Sequence, residues 1–418
     1  MKTQAIRQGL AVLCAAALLC SAGLPVLAEE EPPALITDSE SGESAEKLAA
    51  EDDSEWVPTA AIPTDGAALE VAGKGAVLME LSTGQVLFEK TPHEKVPIAS
   101  VTKIMTLLLV MEALDEGTIG LEDPVTCSAT AASMGGSQIW LKEGEVMSVH
   151  ELLKAAAVVS ANDACAALAE YVCGSIEGFV SRMNERAAEL GMKDTKFLDC
   201  SGLSDEACSS AYDVALMSRE LMKHEKIQEY TTIWMDTLRD GKSQLVNTNK
   251  LVRHYQGATG LKTGTTQKAG HCLSATAQRD GMGLVAVILG CSTTDERFGG
   301  ARKMLDYGFA NYSIYTPQVD DSQLHPIPVL RGVEESVSPQ IPLLEPLLLK
   351  KGQEKGVTTT VTLAEDLEAP VLKGQVVGEI TIQVDGKDMA KTPIQAETEV
   401  AAMTIGTAFS WLWDALLS

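Results

Sequence analysis

Apolar runs at the two ends of the central region predict strands that belong to one sheet. Residues 76–81 and 85–88 lie on either side of Ser82-Thr83-Gly84, which predicts a hairpin with glycine at its turn. Residues 284–289 contain no polar side chain, so we expect a strand that is buried on both faces. Residues 272–277 precede it across a glycine-containing turn. The first and last segments therefore predict a single sheet completed by distant parts of the chain.

Helical periodicity dominates between these strands. Residues 100–114 are rich in Leu, Met and Ile, and a helical signal covers residues 149–171. Residues 179–190 and 301–309 are further helix candidates, the second of which closes the region. The pattern predicts an α+β domain over residues 67–313.

The composition changes after about residue 313. Residues 357–363 alternate towards their end, and residues 380–384 alternate clearly before Asp385-Gly386, a turn pair. We predict a small all-β domain at residues 320–398, without a catalytic pattern.

The last segment, residues 400–418, is apolar and carries one charged residue, Asp414. The pattern predicts an amphipathic helix, and two tryptophans suit a membrane interface. The apolar positions that share one face are Ile405, Phe409, Leu412 and Leu416. We expect this helix to anchor the protein at a membrane surface. The alternative is a helix docked on its own domain, because the segment lacks Lys and Arg.

The N-terminal residues predict export. Lys2 and Arg7 precede an apolar stretch at residues 10–19, and Ala28 ends a cleavage-like site, so residues 1–28 read as a signal peptide. The apolar stretch is shorter than the roughly 20 residues of a membrane span. Residues 29–66 are acidic and rich in Ser, Ala and Pro, which predicts a disordered spacer.

Charge and cysteine content narrow the possible partners. The formal net charge is −25, which argues against nucleic acid because phosphate binding needs a basic face. Seven cysteines follow the signal segment, without C-x-x-C or zinc-binding spacing, and we expect buried, unreactive thiols. They are Cys127, Cys165, Cys173, Cys200, Cys208, Cys272 and Cys291. No metal or organic cofactor is implied.

Three short motifs carry the candidate chemistry. They are Ser100-Val101-Thr102-Lys103, Ser160-Ala161-Asn162 and Lys262-Thr263-Gly264, in the order S-x-x-K, S-x-N and K-T-G. Each alone is a weak signal, but the ordered trio is typical of class A β-lactamases and penicillin-binding proteins. A phosphate-binding loop is excluded for the third motif, because Leu261 stands where that loop needs glycine.

The chemistry of the trio follows from the residue types. Side chains three residues apart on a helix are neighbours, so the amine of Lys103 can reach the hydroxyl of Ser100 and act as its base. Lys103 must then be neutral, which burial or the nearby charge of Lys262 would favour. Lys262 can also bind a substrate carboxylate. Ser160 can relay a proton to the leaving amine, and Asn162 can hydrogen-bond a substrate amide.

Over about residues 71–312 the chain resembles the serine D-Ala-D-Ala carboxypeptidases, the low-molecular-mass penicillin-binding proteins. The similar segments are residues 97–106, 210–213, 247–251, 260–265 and 269–272. Residues 369–380 resemble the C-terminal β-domain of that family, and the last helix resembles its membrane anchor.

The resemblance implies a β-lactamase/transpeptidase-like domain, an antiparallel sheet flanked by helices with a helical subdomain, followed by the β-domain. It implies that Ser100 forms the acyl-enzyme, that Lys103 accepts its proton and that Ser160 completes the catalytic set. The implied substrate-binding residues are Lys262, Asn162, Thr263, Gly264 and Thr265. The N–H groups of Ser100 and Thr265 would form the oxyanion hole. The implied partners are a peptidoglycan stem peptide ending in D-Ala-D-Ala, β-lactam inhibitors and the outer face of the cytoplasmic membrane.

The sequence departs from the family at Asp199-Cys200-Ser201-Gly202-Leu203, where Asn-Pro-x-Gly-Leu is usual, so the shape of this loop stays open. A β-lactamase is an alternative, but no Glu-x-x-Leu-Asn lies between Ser160 and Lys262, and the β-domain is not expected there. A D,D-endopeptidase or transpeptidase would use the same acyl-enzyme. A non-catalytic wall-binding protein is the last alternative, which the intact trio disfavours.

Overall fold

The computed structural model describes Ala34–Leu35 and residues 69–417. The predicted signal peptide at residues 1–28 lies outside the described residues, as does most of the predicted spacer at residues 29–66. Within the spacer, Ala34–Leu35 forms a short strand parallel to Ser243–Val246, which differs from the disorder predicted for these two residues.

The strands and helices are numbered separately in chain order. The strands are β1 (Ala34–Leu35), β2 (Gly75–Glu80), β3 (Val86–Lys90), β4 (Pro124–Thr126), β5 (Val146–Ser148), β6 (Met235–Leu238), β7 (Ser243–Val246), β8 (Ala258–Thr266), β9 (Gly270–Arg279), β10 (Met282–Cys291), β11 (Tyr312–Tyr315), β12 (Ile327–Leu330), β13 (Ser336–Val337), β14 (Pro339–Gln340), β15 (Leu347–Lys350), β16 (Val357–Leu363), β17 (Leu367–Glu368), β18 (Val376–Val384) and β19 (Lys387–Ala396). The helices are α1 (Lys103–Asp115), α2 (Ala129–Ala132), α3 (Val149–Val158), α4 (Asn162–Cys173), α5 (Ile176–Glu189), α6 (Ala211–Leu221), α7 (Gln228–Thr231), α8 (Leu251–His254), α9 (Thr294–Asn311) and α10 (Ile405–Leu417).

A five-stranded antiparallel sheet forms the centre of the catalytic domain, in the order β3-β2-β10-β9-β8. Strand β2 pairs with β10, so the first hairpin and the closing strands share one sheet, as the sequence predicts. Val77 and Met79 face the helical part of the domain, whereas Ala76 and Leu78 face α9 on the other side. Residues 284–289 are buried throughout, which confirms the prediction for β10.

The helical subdomain surrounds α1, which is buried along most of its length. It contains no Gly or Pro, and its Leu, Met and Ile side chains pack against α3, α4 and α6. A capping box between Ser148 and Glu151 starts α3, and Gly174 ends α4 in the left-handed region, at φ 77°. Both boundaries follow from local sequence.

The helical signal of residues 149–171 is interrupted, which the sequence does not predict. Helix α3 ends at Val158 and α4 begins at Asn162, with Ser160 between them at φ 63°. Left-handed backbone in a residue with a side chain is sparsely populated and persists where the surroundings impose it. The interruption moves the S-x-N motif from a helix face to a corner between two helices.

A second domain follows α9 and is all-β, as predicted. Two sheets, in the orders β14-β19-β18-β16 and β13-β12-β17, enclose a separate apolar core. Strand β11 pairs with β15, and Leu348 of β15 packs into the core of the catalytic domain. The two domains are therefore joined by a strand pair as well as by the chain.

Helix α10 extends from the second domain with its apolar side chains exposed. The exposed residues are Ile405, Phe409, Leu412, Trp413, Leu416 and Leu417. Across the described helices of residues 69–417, none has the length and apolar character to cross a membrane.

Candidate active site

The nucleophile candidate lies in a tight turn rather than inside a helix. Ser100 belongs to a 3₁₀ turn, Ala99–Thr102, and Lys103 is the first residue of α1. In a 3₁₀ turn the side chains at positions i and i+3 lie above one another, which explains the 2.8 Å distance from Lys103 Nζ to Ser100 Oγ. Both side chains are buried. The predicted serine–lysine pair is therefore in direct contact.

A second contact fixes the lysine. Lys103 Nζ donates to the carbonyl oxygen of Ser201 at 2.7 Å. Asp199 shapes this loop by accepting backbone hydrogen bonds from Ser201 at 2.7 Å, from Gly202, and from Ser204 at 2.7 Å. Burial acts to raise the pKa of Asp199, but the hydrogen bonds of the loop outweigh it and lower the pKa below its usual value. The segment that departs from the family pattern thus forms an ordered loop that orients the lysine.

The S-x-N corner presents two buried polar atoms towards the site. Ser160 Oγ and Asn162 Oδ1 are buried without a hydrogen-bond partner among the described residues. Asn162 Nδ2 donates to Gly135 O at 2.7 Å, and the backbone N–H of Asn162 donates to Ser137 O at 2.7 Å. Buried polar atoms in folded proteins normally have partners, so these two mark a place where substrate groups can bind.

Asp163, beside the motif, fixes the loop that covers this corner. Its carboxylate accepts the backbone N–H groups of Ile139 at 3.1 Å and Leu141 at 3.0 Å. Trp140 lies between them, 53% exposed and at φ 53°, whereas its two neighbours are buried. The role of this aspartate is not predicted from the sequence, although an acidic residue in the first turn of a helix is a local signal.

The K-T-G motif lies on β8, as predicted, and this strand packs closely on the nucleophile turn. A Cβ atom added at Gly264 would lie 2.6 Å from Ile98 O and 2.9 Å from Ser100 N, so only glycine fits. Lys262 is buried and donates to Thr263 O at 3.0 Å. The absence of a side chain at Gly264 allows the strand to approach the nucleophile.

Thr248 connects the second and third motifs. Its N–H donates to Val158 O at 3.1 Å, two residues before Ser160, and its Oγ1 lies 2.7 Å from Thr263 Oγ1. The structure therefore brings all three predicted motifs to one site.

A buried arginine behind the K-T-G strand is not predicted as a site residue from the sequence. Arg297 of α9 is only 2% exposed, and its Nη1 donates to Thr265 Oγ1 at 2.9 Å. Nη1 also contacts Gly264 O on β8 and Cys272 O on β9, each at 3.4 Å. No local signal distinguishes this arginine from an exposed residue in the first turn of a helix.

The seven described cysteines are all free thiols. Cys127, Cys165, Cys200, Cys272 and Cys291 are buried, which confirms that prediction for five of them, while Cys173 and Cys208 are partly exposed. Burial raises the pKa of Cys165 and of Cys272 to about 11. Within residues 69–417, no group of three or more His, Cys, Asp or Glu side chains could hold a metal ion.

The site contains a serine that contacts a buried lysine three residues later, a second serine at a helix break, and a K-T-G strand. This combination defines a serine acyl-transferase of the penicillin-binding class. A family model described as D-alanyl-D-alanine carboxypeptidase matches residues 61–293, and one described as the C-terminal domain of penicillin-binding protein 5 matches residues 312–402. The chain belongs to the D-alanyl-D-alanine carboxypeptidase family, the low-molecular-mass penicillin-binding proteins.

Relatives and solved structures agree with this assignment. The D-alanyl-D-alanine carboxypeptidase DacF of Bacillus subtilis is 41% identical over 82% of this chain and 91% of its own length. DacC of Escherichia coli is 35% identical over 82% of this chain and 87% of its own. Penicillin-binding protein 5 of Haemophilus influenzae has a TM-score of 0.70 at 30% identity, covering 80% of this chain and 99% of that one. The predicted fold class is confirmed.

Proposed function

We propose that this chain removes the terminal D-alanine from peptidoglycan stem peptides ending in D-Ala-D-Ala, through an acyl-enzyme on Ser100. Membership of the family establishes a serine-type D-Ala-D-Ala carboxypeptidase that acts on peptidoglycan. The observation that carries the residue assignment is the 2.8 Å contact between Ser100 Oγ and the amine of the fully buried Lys103.

The reaction takes place in two stages at this contact. The amine of Lys103 accepts the proton of Ser100, and Oγ attacks the carbonyl carbon of the penultimate D-alanine. The backbone N–H groups of Ser100 and Thr265 stabilise the resulting oxyanion. The C–N bond then breaks as the proton held by Lys103 passes through the Ser160 hydroxyl to the leaving amine of the terminal D-alanine, so that Lys103 and Ser160 return to their starting forms. In the second stage water attacks the ester carbonyl, Lys103 takes a proton from the water, and this proton returns to Ser100 Oγ as the ester C–O bond breaks.

The remaining residues bind the substrate on either side of the scissile bond. Lys262 and the Thr263 hydroxyl receive the terminal carboxylate, with Arg297 supporting Thr265 from behind. Because Nδ2 of Asn162 already donates to Gly135 O, its Oδ1 is the atom that accepts an amide N–H of the substrate. Gly264 lets β8, which carries Lys262 and Thr263, lie against the nucleophile turn. A β-lactam enters by the same attack, which opens its ring and leaves an ester on Ser100.

Replacing Ser100 with alanine tests this assignment. We expect wild type to release D-alanine from a pentapeptide and to form a long-lived fluorescent penicillin adduct, and Ser100→Ala to do neither, because no nucleophile remains. Ser181→Ala, an exposed serine on α5, serves as the matched control and keeps both properties. D-alanine release by Ser100→Ala at the wild-type rate would refute the assignment, and rapid multi-turnover hydrolysis of the penicillin would favour a β-lactamase.

We also propose that α10 rests on the outer face of the cytoplasmic membrane. The support is its exposed apolar face, including Phe409, at 67%, and Leu412, at 63%. Since residues 400–418 contain no Lys or Arg, the binding energy is hydrophobic, and because the full chain has a net charge of −25, neutral vesicles should bind it at least as well as anionic ones.

A vesicle co-sedimentation assay checks the membrane proposal. Phe409→Glu should weaken binding by about tenfold or more, because it replaces an exposed aromatic side chain that would enter the membrane with a charged one. The control is Leu343→Glu, which changes a 92% exposed leucine of the second domain and should leave binding unchanged. Equal effects of the two substitutions, or binding to anionic vesicles alone, would contradict a helix-specific anchor.

A further inference from the structure

We infer that Thr248 is a positioning residue that makes the Thr263 hydroxyl a hydrogen-bond donor to the terminal carboxylate of the substrate. The inference rests on the proposed binding of that carboxylate at Thr263. It adds a residue outside the three motifs, with a role in selecting substrates that end in a free carboxylate.

The backbone fixes Thr248 on both sides. Its own N–H donates to Val158 O at 3.1 Å. Asn247 before it donates to Ile233 O through Nδ2 at 2.7 Å, and the N–H of Asn249 after it donates to Asn247 Oδ1 at 2.8 Å. Thr248 is therefore presented by a rigid segment, so that its hydroxyl has a defined position.

That position is beside the K-T-G motif. The two hydroxyl oxygens of Thr248 and Thr263 lie 2.7 Å apart, a normal distance for an O–H···O bond. Both residues are buried, and neither hydroxyl has another hydrogen-bond partner in the described part of the chain. Each hydroxyl therefore has hydrogen-bonding capacity that a ligand at the K-T-G motif can fill.

The number of hydroxyl protons determines how the Thr248–Thr263 pair responds to a ligand. Two hydroxyls carry two protons, but one O···O contact uses only one of them. Without a ligand, either direction of donation leaves one buried hydroxyl proton without an acceptor, which is unfavourable. If Thr248 donates to Thr263, the Thr263 proton is left for an acceptor in the site. A carboxylate there accepts that proton, so its binding and the donor role of Thr248 favour one another.

This coupling predicts selectivity for the group at the peptide terminus. A terminal carboxylate offers only acceptors, whereas a terminal carboxamide also presents an N–H₂ donor. When a carboxylate binds, Thr248 donates to Thr263 and Thr263 donates to the carboxylate, so the pair matches a group that only accepts. Without the Thr248 hydroxyl, Thr263 can rotate, and the preference weakens.

The experiment compares two pentapeptides that differ only in a terminal carboxylate or carboxamide. We expect Thr248→Val to lower kcat/KM for the acid peptide about three- to tenfold, chiefly through KM, and to leave kcat/KM for the amide within about twofold. Thr248→Ser, which retains a hydroxyl, should restore the preference for the acid peptide. The same loss on both peptides, or no loss on either, would overturn the inference.

Three further variants separate this inference from the proposed function. Thr263→Val should reduce the preference for the acid peptide, and adding Thr248→Val to it should cause no further loss, because the two act as one unit. Thr276→Val removes a hydroxyl from another buried threonine pair, with Thr259 at 2.9 Å, and should leave both peptides unaffected. An unchanged preference in Thr263→Val would reject carboxylate binding at Thr263. If Thr263→Val changes the preference for the acid peptide but Thr248→Val does not, only the proposed role of Thr248 is rejected.

Discussion

We expect Lys103→Met to lower the rate of Ser100 acylation by about a thousandfold, within the range usual for removing a general base. Methionine fills a similar volume but cannot accept a proton, and it leaves Ser201 O without the donor that now lies at 2.7 Å. Lys103→Arg should be comparably inactive, because a guanidinium stays protonated at neutral pH. Stopped-flow fluorescence with a fluorescent penicillin measures the acylation of Ser100. Release of D-alanine from a pentapeptide measures the carboxypeptidase reaction.

A lysine outside the site provides the comparison for this result. Lys223→Met removes an exposed amine that pairs with Glu220 at 2.6 Å, and its acylation rate should equal that of wild type. Denaturant unfolding of each variant shows whether the fold is retained. If folded Lys103→Met acylates at more than about a tenth of the wild-type rate, another group is the base.

Gly264→Ala should reduce acylation by about a hundredfold or more, the effect of losing one oxyanion donor. The added Cβ would meet Ile98 O at 2.6 Å and the backbone nitrogens of Ser100 and Val101 at 2.9 Å. These are backbone atoms that cannot rotate away, so β8 must move from the nucleophile turn. The free energy of unfolding should fall by about 1–3 kcal/mol, as is usual for overpacking.

Gly299→Ala is the matched glycine variant. A Cβ at Gly299 meets nothing within 4 Å, and the residue lies inside α9, where alanine is favoured over glycine by up to about 1 kcal/mol. We expect unchanged acylation and a small gain in stability, measured by urea unfolding and penicillin labelling. Wild-type acylation by Gly264→Ala would show that the close approach of the strand is not required.

Much of the fold can be predicted from the sequence, because in these segments the local pattern and the tertiary contacts favour the same secondary structure. Glycine marks the first hairpin, the apolar run of residues 284–289 becomes the doubly covered strand β10, and K-T-G falls on a strand. The K-T-G strand packs on the nucleophile turn and is linked through Thr248 to the segment before the S-x-N corner. The roles assigned to Ser100, Lys103, Ser160 and Lys262 remain predictions, and the variants of Ser100 and Lys103 test the first two.

Other features depend on contacts between distant segments and have no local signal. The interruption at Ser160 contains no Gly or Pro, so the helical period continues through it. The carbonyl of Ser201 becomes a partner of Lys103 only because the Asp199 loop folds over the nucleophile turn. The contact of Thr248 with Thr263 likewise joins segments that periodicity cannot relate.

The pairing of β2 with β10 has a consequence for the order in which the protein becomes active. The chain is synthesised from its N-terminus, so Ser100 and Lys103 are made long before the K-T-G strand. That strand joins the sheet only through β9 and β10, which pair with β2. A partly made chain therefore has the nucleophile without its oxyanion donor or its carboxylate site. We therefore expect neither β-lactam ring opening nor D-alanine release from a chain that lacks residues 258–291.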